Sequence, residues 1–251
     1  MLRPVSLVGR VGEYGLKVME SVYPEQSTEA QSVAGSWQSP GSVERTILHR
    51  GKSAIVVAVN VETLVAEAEK AKGMIEFAPQ VGAFVGSAEP LFLLRDGAGA
   101  IYERKLRASV VLGGERTMEQ DPLFGFRILV DIAIKALSKA INDPTTAVLA
   151  IDQLHRLLRS AGRRNLRTDQ ILDRAGKLRV IFRTPNWEDF VHLAFSEIRF
   201  YGAENMQIAR RLRAMIVNLT RHYQRNVILR CAKNSSFWIG RSRRSMFYPR
   251  I

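Results

Sequence analysis

Two apolar helical repeats meet at the stretch Ile141-Asn142-Asp143-Pro144-Thr145-Thr146-Ala147, and this join constrains the fold more than any other stretch. Pro144 lacks a backbone N–H, which costs nothing at the first position of a helix, where that donor has no intrahelical partner. Asp143 can cap the free amides of Thr145 or Thr146, and Asn142 can bond the local backbone in an Asx-type turn. A helix therefore starts at Pro144, and the one before it must already have ended. Upstream, Phe126, Leu129, Val130, Ala133, Ala136 and Leu137 recur at helical spacing across residues 124–138. Downstream, Ala147, Ile151, Leu154 and Leu158 do the same. The join thus predicts two helices, each buried along one side.

The rest of the chain yields to the same reasoning. An amphipathic helix within residues 1–24 should stop before Pro24, and residues 25–42, rich in Ser, Gln and Gly, form a linker holding Trp37. Residues 45–60 are β-branched and broken at Gly51, which predicts two strands about a turn. A helix follows with Leu64, Val65, Ala68 and Ala71 on one stripe and Gly73 at its C′ position. Met74–Phe77 is a strand, Ala83–Val85 should lie against Leu91–Leu94 as a hairpin, and Arg107–Gly113 is another strand. Lys177–Arg183 is a short strand, and Thr184 with Pro185 should open a helix that Gly202 ends. A last helix from Asn205 should bury Ile208, Leu212, Ile216 and Leu219 and expose Arg210, Arg211 and Arg213. The expected class is α+β, a small β-rich unit followed by a predominantly helical domain. Its segments are an N-terminal helix and linker (1–44), the β-rich unit (45–113), the helical domain (114–224) and a basic tail (225–251).

Six residues around the join are the candidates for a site: Arg127, Asp131, Asn142, Asp143, Thr146 and His155. Arg127 and Asp131 are four apart and share a helix face, either as a surface pair or as a partly buried pair that orders the following turn. A helix N-terminus attracts anions, but Asp143 already places a negative charge there, so a structural cap outweighs an anion site. Asp152 and Arg156 form an i,i+4 pair on the outer face. Asp152, three residues before His155, can also orient the imidazole, as general bases and zinc ligands require. Against a metal site, His49, His192 and His222 are scattered and no H-E-x-x-H occurs. The acids Glu115, Glu119, Asp121, Asp131 and Asp143 have Arg116, Arg127 and Lys135 beside them, which favours ion pairs over a cation. Neither a metal nor a cofactor is expected. No G-x-S-x-G, Walker A or G-x-G-x-x-G motif is present, no catalytic residue can be assigned, and the balance leans away from an enzyme.

A net charge of +13 would suggest a polyanion partner if it were evenly spread. Seven of the bases, with no acid among them, lie between Arg225 and Ile251. What remains is a mild excess, so nucleic acid is not the expected partner. The tail together with Arg210, Arg211 and Arg213 leaves nucleic-acid or anionic-lipid binding as a lesser alternative. The sequence has no run near the roughly 18 apolar residues that span a bilayer, so it reads as soluble as written. One cysteine, Cys231, in the tail, fits a reducing compartment and is a poor candidate nucleophile.

Over residues 115–147 the text E-R-T-x-E-Q-D-P-x-F-G-F-R-x-L-V-D-I-A-x-x-A-L-S-x-x-I-N-D-P-T-T-A resembles the C-terminal soluble module of an uncharacterised bacterial family of predicted membrane proteins, a domain of unknown function. Ala78–Leu91, and P-x-W-E-D with E-I-R-x-Y-G-A across Pro185–Ala203, resemble it too. The chain departs from the family pattern at Lys135, where Arg is usual, and at Lys139-Ala140, where Pro-Gly is usual, which leaves the interhelix turn less rigid. The resemblance implies membrane-spanning helices as partners, absent from this chain and so a truncation, and a place on the cytoplasmic face of the bacterial inner membrane. It implies a sensing or gating role. A small-ligand-binding or hydrolytic domain with a polar pocket around the N-D-P-T-T turn is the alternative, and a homo-oligomer stays open. Beyond Arg225 the likeness stops, and a shifted reading frame is the expectation for the basic tail.

Overall fold

The computed structural model describes residues 4–23, 41–166 and 169–223; Trp37, Cys231 and the basic tail lie outside the described residues. The helices are α1 (Pro4–Val22), α2 (Val61–Ala71), α3 (Glu103–Ala108), α4 (Pro122–Ala136), α5 (Pro144–Ala161), α6 (Trp187–Tyr201) and α7 (Met206–His222). The strands are β1 (Val43–Leu48), β2 (Ala54–Val59), β3 (Met74–Phe77), β4 (Phe84–Val85), β5 (Pro90–Arg95), β6 (Val110–Gly113), β7 (Gln170–Leu172) and β8 (Leu178–Phe182). The class is α+β, as expected. The chain divides into two compact units, Val18–Phe124 with Arg163–Asn186, and Met1–Lys17 with Gly125–Gly162 and Trp187–Ile251.

In the first unit Met74, Ile75 and Phe77 of β3 are buried, and so are Leu91, Phe92 and Leu94 of β5 and Leu178 and Val180 of β8. Backbone groups this deep need partners on both strand edges. β3 finds them in β5, antiparallel, and β8, parallel, within a five-stranded sheet ordered β1-β5-β3-β8-β7. The rings of Phe77 and Phe92 pack 5.3 Å apart across the strands, and each large side chain fully buried here contributes about 1.5–3 kcal/mol. A second sheet has the order β4-β2-β6. The two strands expected about Gly51 are present as β1 and β2, and they belong to different sheets, β1 to β5 and β2 to β4 and β6. The pairings correct one expectation: β4 and β5 are not a hairpin, because β4 pairs with β2 while β5 turns to β1 and β3. The expected strand from Arg107 starts only at Val110, since residues 103–108 close into α3.

The C-terminus of α2 carries a further correction. Gly73 N–H donates to Ala68 O and Lys72 N–H to Glu69 O, both at 3.0 Å, which is a Schellman closure with the left-handed residue at Lys72, φ 55°. Gly73 is needed for space. A Cβ there would lie 2.2 Å from the backbone nitrogen of Ala98, in a short 3-10 turn, Ala98–Ala100.

In the second unit, α5 buries the expected Ala147, Ile151, Leu154 and Leu158 together with Ala150 and Leu157, and packs on α6 and α7. Phe126 of α4 meets Phe190 of α6 with ring centroids 5.0 Å apart. On α7 the buried positions are Ile208, Leu212, Met215 and Leu219, so Met215 takes the place expected of Ile216. Two helix starts also shift. α4 begins at Pro122, with the Asp121 carboxylate accepting from Phe124 N–H at 3.1 Å, and α6 begins at Trp187, past Pro185. Thr184, expected as its cap, instead donates its hydroxyl to Leu166 O at 3.3 Å.

Gly73→Ala should therefore destabilise the protein by about 1–3 kcal/mol in urea unfolding, through overpacking against Ala98. Lys72→Gly, which relieves the left-handed position, should be neutral or stabilising; the reverse ranking would restore Gly73 to the cap.

Candidate functional site

The join between α4 and α5 is held almost entirely by its own backbone. Asn142 N–H donates to Ser138 O at 2.8 Å and Asp143 N–H to Ala136 O at 2.8 Å, which requires Asn142 to adopt φ 48°. Asparagine tolerates that region better than most residues, so backbone conformation is its contribution. Its side chain, expected to form an Asx turn, makes no hydrogen bond among the described residues. Asp143 caps α5 as expected, with Oδ1 accepting from Thr146 N–H at 3.0 Å and Oδ2 from the Thr146 hydroxyl at 2.5 Å. The hydroxyl of Thr146, then its backbone N–H, hold the Asp143 carboxyl below the usual carboxylate range. Both carboxylate oxygens are spent on the first turn.

Arg127 and Asp131 form the expected pair, Nε donating to Oδ1 at 2.8 Å, but Arg127 has a second and unforeseen partner in Glu197 of α6. Its Nη2 donates to Glu197 Oε2 at 3.0 Å and its Nη1 bonds Oε1, a two-pronged contact matched to guanidinium geometry. Glu197 first, then Asp131, raise the Arg127 guanidinium above its ordinary range, and Arg127 lowers the Glu197 carboxyl. The pair ties α4 to α6 and leaves the turn after α4 to its own hydrogen bonds. Glu197 stands in the E-I-R text on the polar flank of the α6 stripe, the one signal that could have pointed to it.

His155 is oriented from α7. Its Nε2 bonds Asn218 Oδ1 at 2.9 Å and its Nδ1 faces Arg211 Nη2 at 3.0 Å. A guanidinium only donates, so Nδ1 must accept and the proton sits on Nε2, donated to Asn218. Burial lowers the His155 pKa, opposed by the Asn218 bond and reinforced by the charges of Arg211 and Arg159. Asp152 acts one step removed, pairing with Arg211 through Nε. That overturns the expected Asp152–Arg156 pair: Arg156 donates to Glu13 Oε1 and Gln153 Oε1, both at 2.8 Å. It also overturns the expected exposure of Arg211. With its lone pair held by Arg211 and its proton by Asn218, His155 has no free nitrogen with which to act as a base.

The six candidates thus fall into three groups, Arg127 with Asp131, Asn142 with Asp143 and Thr146, and His155 with α7. At 1.5 Å per residue, His155 lies roughly 18 Å along α5 from the cap. Open grooves occur among the described residues. One, of about 340 Å³, runs along α6 past Glu188, Asp189, His192, Leu193, Ser196 and Glu197. Another, of about 420 Å³, lies beside β1 and Glu103. None of the six candidates lines either of these two grooves. Among the described residues no three His, Cys, Asp or Glu side chains gather as metal ligands. Asp121 is paired with Arg116, the use expected for these acids.

Two measurements follow from this geometry. Because the folded pKa of His155 is depressed, its stabilising effect is fully present above the unfolded value of about 6.5 and is lost as pH falls through the folded value. Urea midpoints should drop from about pH 7 downward, and His155→Gln should flatten that slope; equal slopes would mean the ring protonates without cost. A double-mutant cycle of Arg127→Ala with Glu197→Ala should give a coupling of about 1 kcal/mol or less, since both partners keep contact with solvent.

Residues 1–218 match the family described as predicted membrane protein (DUF2254), and the chain belongs to that family. Uncharacterized proteins of Mycobacterium bovis and of two strains of Mycobacterium tuberculosis are 30% identical to it over 195 residues. The aligned stretch is 75% of this chain and 37% of each relative, so the chain spans well under half the length of the curated relatives it matches. No solved structure matches it. Among the described residues no helix is long and apolar enough to cross a membrane.

Proposed function

We propose that this chain is a non-catalytic module of a bacterial inner-membrane protein, held on the cytoplasmic side, where it senses or gates for membrane-spanning helices carried elsewhere in the longer protein. The observation that carries this reading is the state of the polar residues in its most distinctive stretch. Asp143 and Thr146 are consumed by a helix cap, Arg127 by two carboxylates, and both nitrogens of His155 by α7. Membership of a family of predicted membrane proteins supplies the bilayer.

Two of these contacts join separate helices, Arg127 across α4 and α6 and Arg211 across α5 and α7. Such links pass a displacement of one helix to the next, which is the work of a sensor or gate, whereas a hydrolytic site needs a base with an available lone pair.

Reporter fusions at the matched stretch of the mycobacterial relatives test the placement. A fluorescent protein fused there should fold and shine, and alkaline phosphatase should stay inactive; the opposite pattern puts the module outside the cytoplasm. The purified chain should not turn over chromogenic esters or phosphoesters. Turnover abolished by His155→Gln would overturn the non-catalytic reading in favour of a hydrolytic domain.

A further inference from the structure

Helix α7 has no acidic residue along its length. Its buried stripe packs toward α5 and α6, and its outer face exposes Met206, Arg210, Arg213, Val217 and Arg221. At 3.6 residues per turn these five fall within an arc of about 80°. Met206 is 55% exposed and Val217 39%, so the arc mixes apolar side chains with guanidinium groups.

Arg210, Arg213 and Arg221 make no ion pair with any described residue, in contrast to Arg211, which Asp152 holds. Residues 224–251 contain no Asp or Glu. On α2, by contrast, Glu67 takes both Lys70 and Lys105 of α3. In the last turn of α6, the helix before α7, Phe200 and Tyr201 are exposed at 69% and 54%, with rings 5.5 Å apart edge to face.

Unpaired guanidinium groups bind phosphate oxygens in a fork, and apolar side chains between them enter the layer beneath the headgroups. Aromatic side chains favour the same level. We propose that the outer arc of α7 docks on an anionic lipid surface, with Arg210, Arg213 and Arg221 on headgroup phosphates and Met206 and Val217 below them. Duplex nucleic acid would use the three charges but offers no apolar layer to take the exposed Met and Val side chains. The inference rests on the reading of the chain as a module of a membrane protein, which brings a bilayer within reach. A module held by spanning helices need not touch lipid, so failure here leaves that reading to the reporter fusions.

The full chain is sedimented with vesicles of phosphatidylcholine alone and of phosphatidylcholine mixed equally with phosphatidylglycerol. It should bind only the second, and release as salt is added. Replacing Arg210, Arg213 and Arg221 together by Gln should weaken binding about a hundredfold, at about 1 kcal/mol for each charge near the surface. Val217→Gln should weaken it less and at all salt concentrations. All four positions are exposed, so thermal melts should match the parent. Equal binding to both vesicles, or binding unchanged in the triple variant, which would assign it to residues 225–251, overturns the proposal. So does binding to duplex DNA that the triple variant loses, with none to vesicles.

Discussion

The parallel pairing of β3 with β8 is the interaction on which the rest of the architecture depends. A parallel neighbour cannot be reached by a tight turn and needs a crossover. Here the crossover contains β4 to β6, the α4–α5 join and β7. Arg179 fastens the returning strand: from β8 it donates to Gly73 O at 3.1 Å, at the head of β3, and to Asp173 Oδ2 at 2.7 Å. The Asp173 carboxyl, which also accepts from the backbone of Lys177 and Ala175, is held below its usual range first by Lys177 N–H and then by Arg179. The loop before β8 is thereby set by the same residue that anchors the strand.

What the sequence made legible follows from how far each contact reaches. The Asp143 cap spans three residues, and Asp-Pro before an apolar stripe was enough to place it. Asn205 capped α7 for the same reason. Asp121-Pro122 carries the same dipeptide and starts α4 in the same way, a signal present in the text two residues ahead of the expected boundary. Strands were recognisable as strands, but their partners were not. β1 beside β2 and β4 beside β5 are close in sequence yet belong to different sheets, because pairing is decided by which strand fills an edge and not by proximity along the chain.

The candidate site divides along the same line. Contacts within one helix turn were readable, and the contacts that give Arg127 and His155 their roles were not, since Glu197 lies 70 residues from Arg127 and Arg211 lies 56 from His155. Spacing paired Asp152 with Arg156, the nearest cation four residues on, and the fold preferred Arg211. A guanidinium presented by a packed neighbour comes with its position already fixed. A flexible i,i+4 partner must be ordered at an entropic cost for a few tenths of a kcal/mol.

The late arrival of β8 also sets a timetable for the protein's birth. Roughly a hundred residues separate Phe77 from Leu178, and at ribosomal speeds of about 5–20 residues per second β3 waits about 5–20 s for its second neighbour. During that interval Ile75 and Phe77 sit on an open sheet edge, a template for other nascent chains. Chaperone capture of the growing chain would be concentrated in that window and would end when β8 clears the exit tunnel.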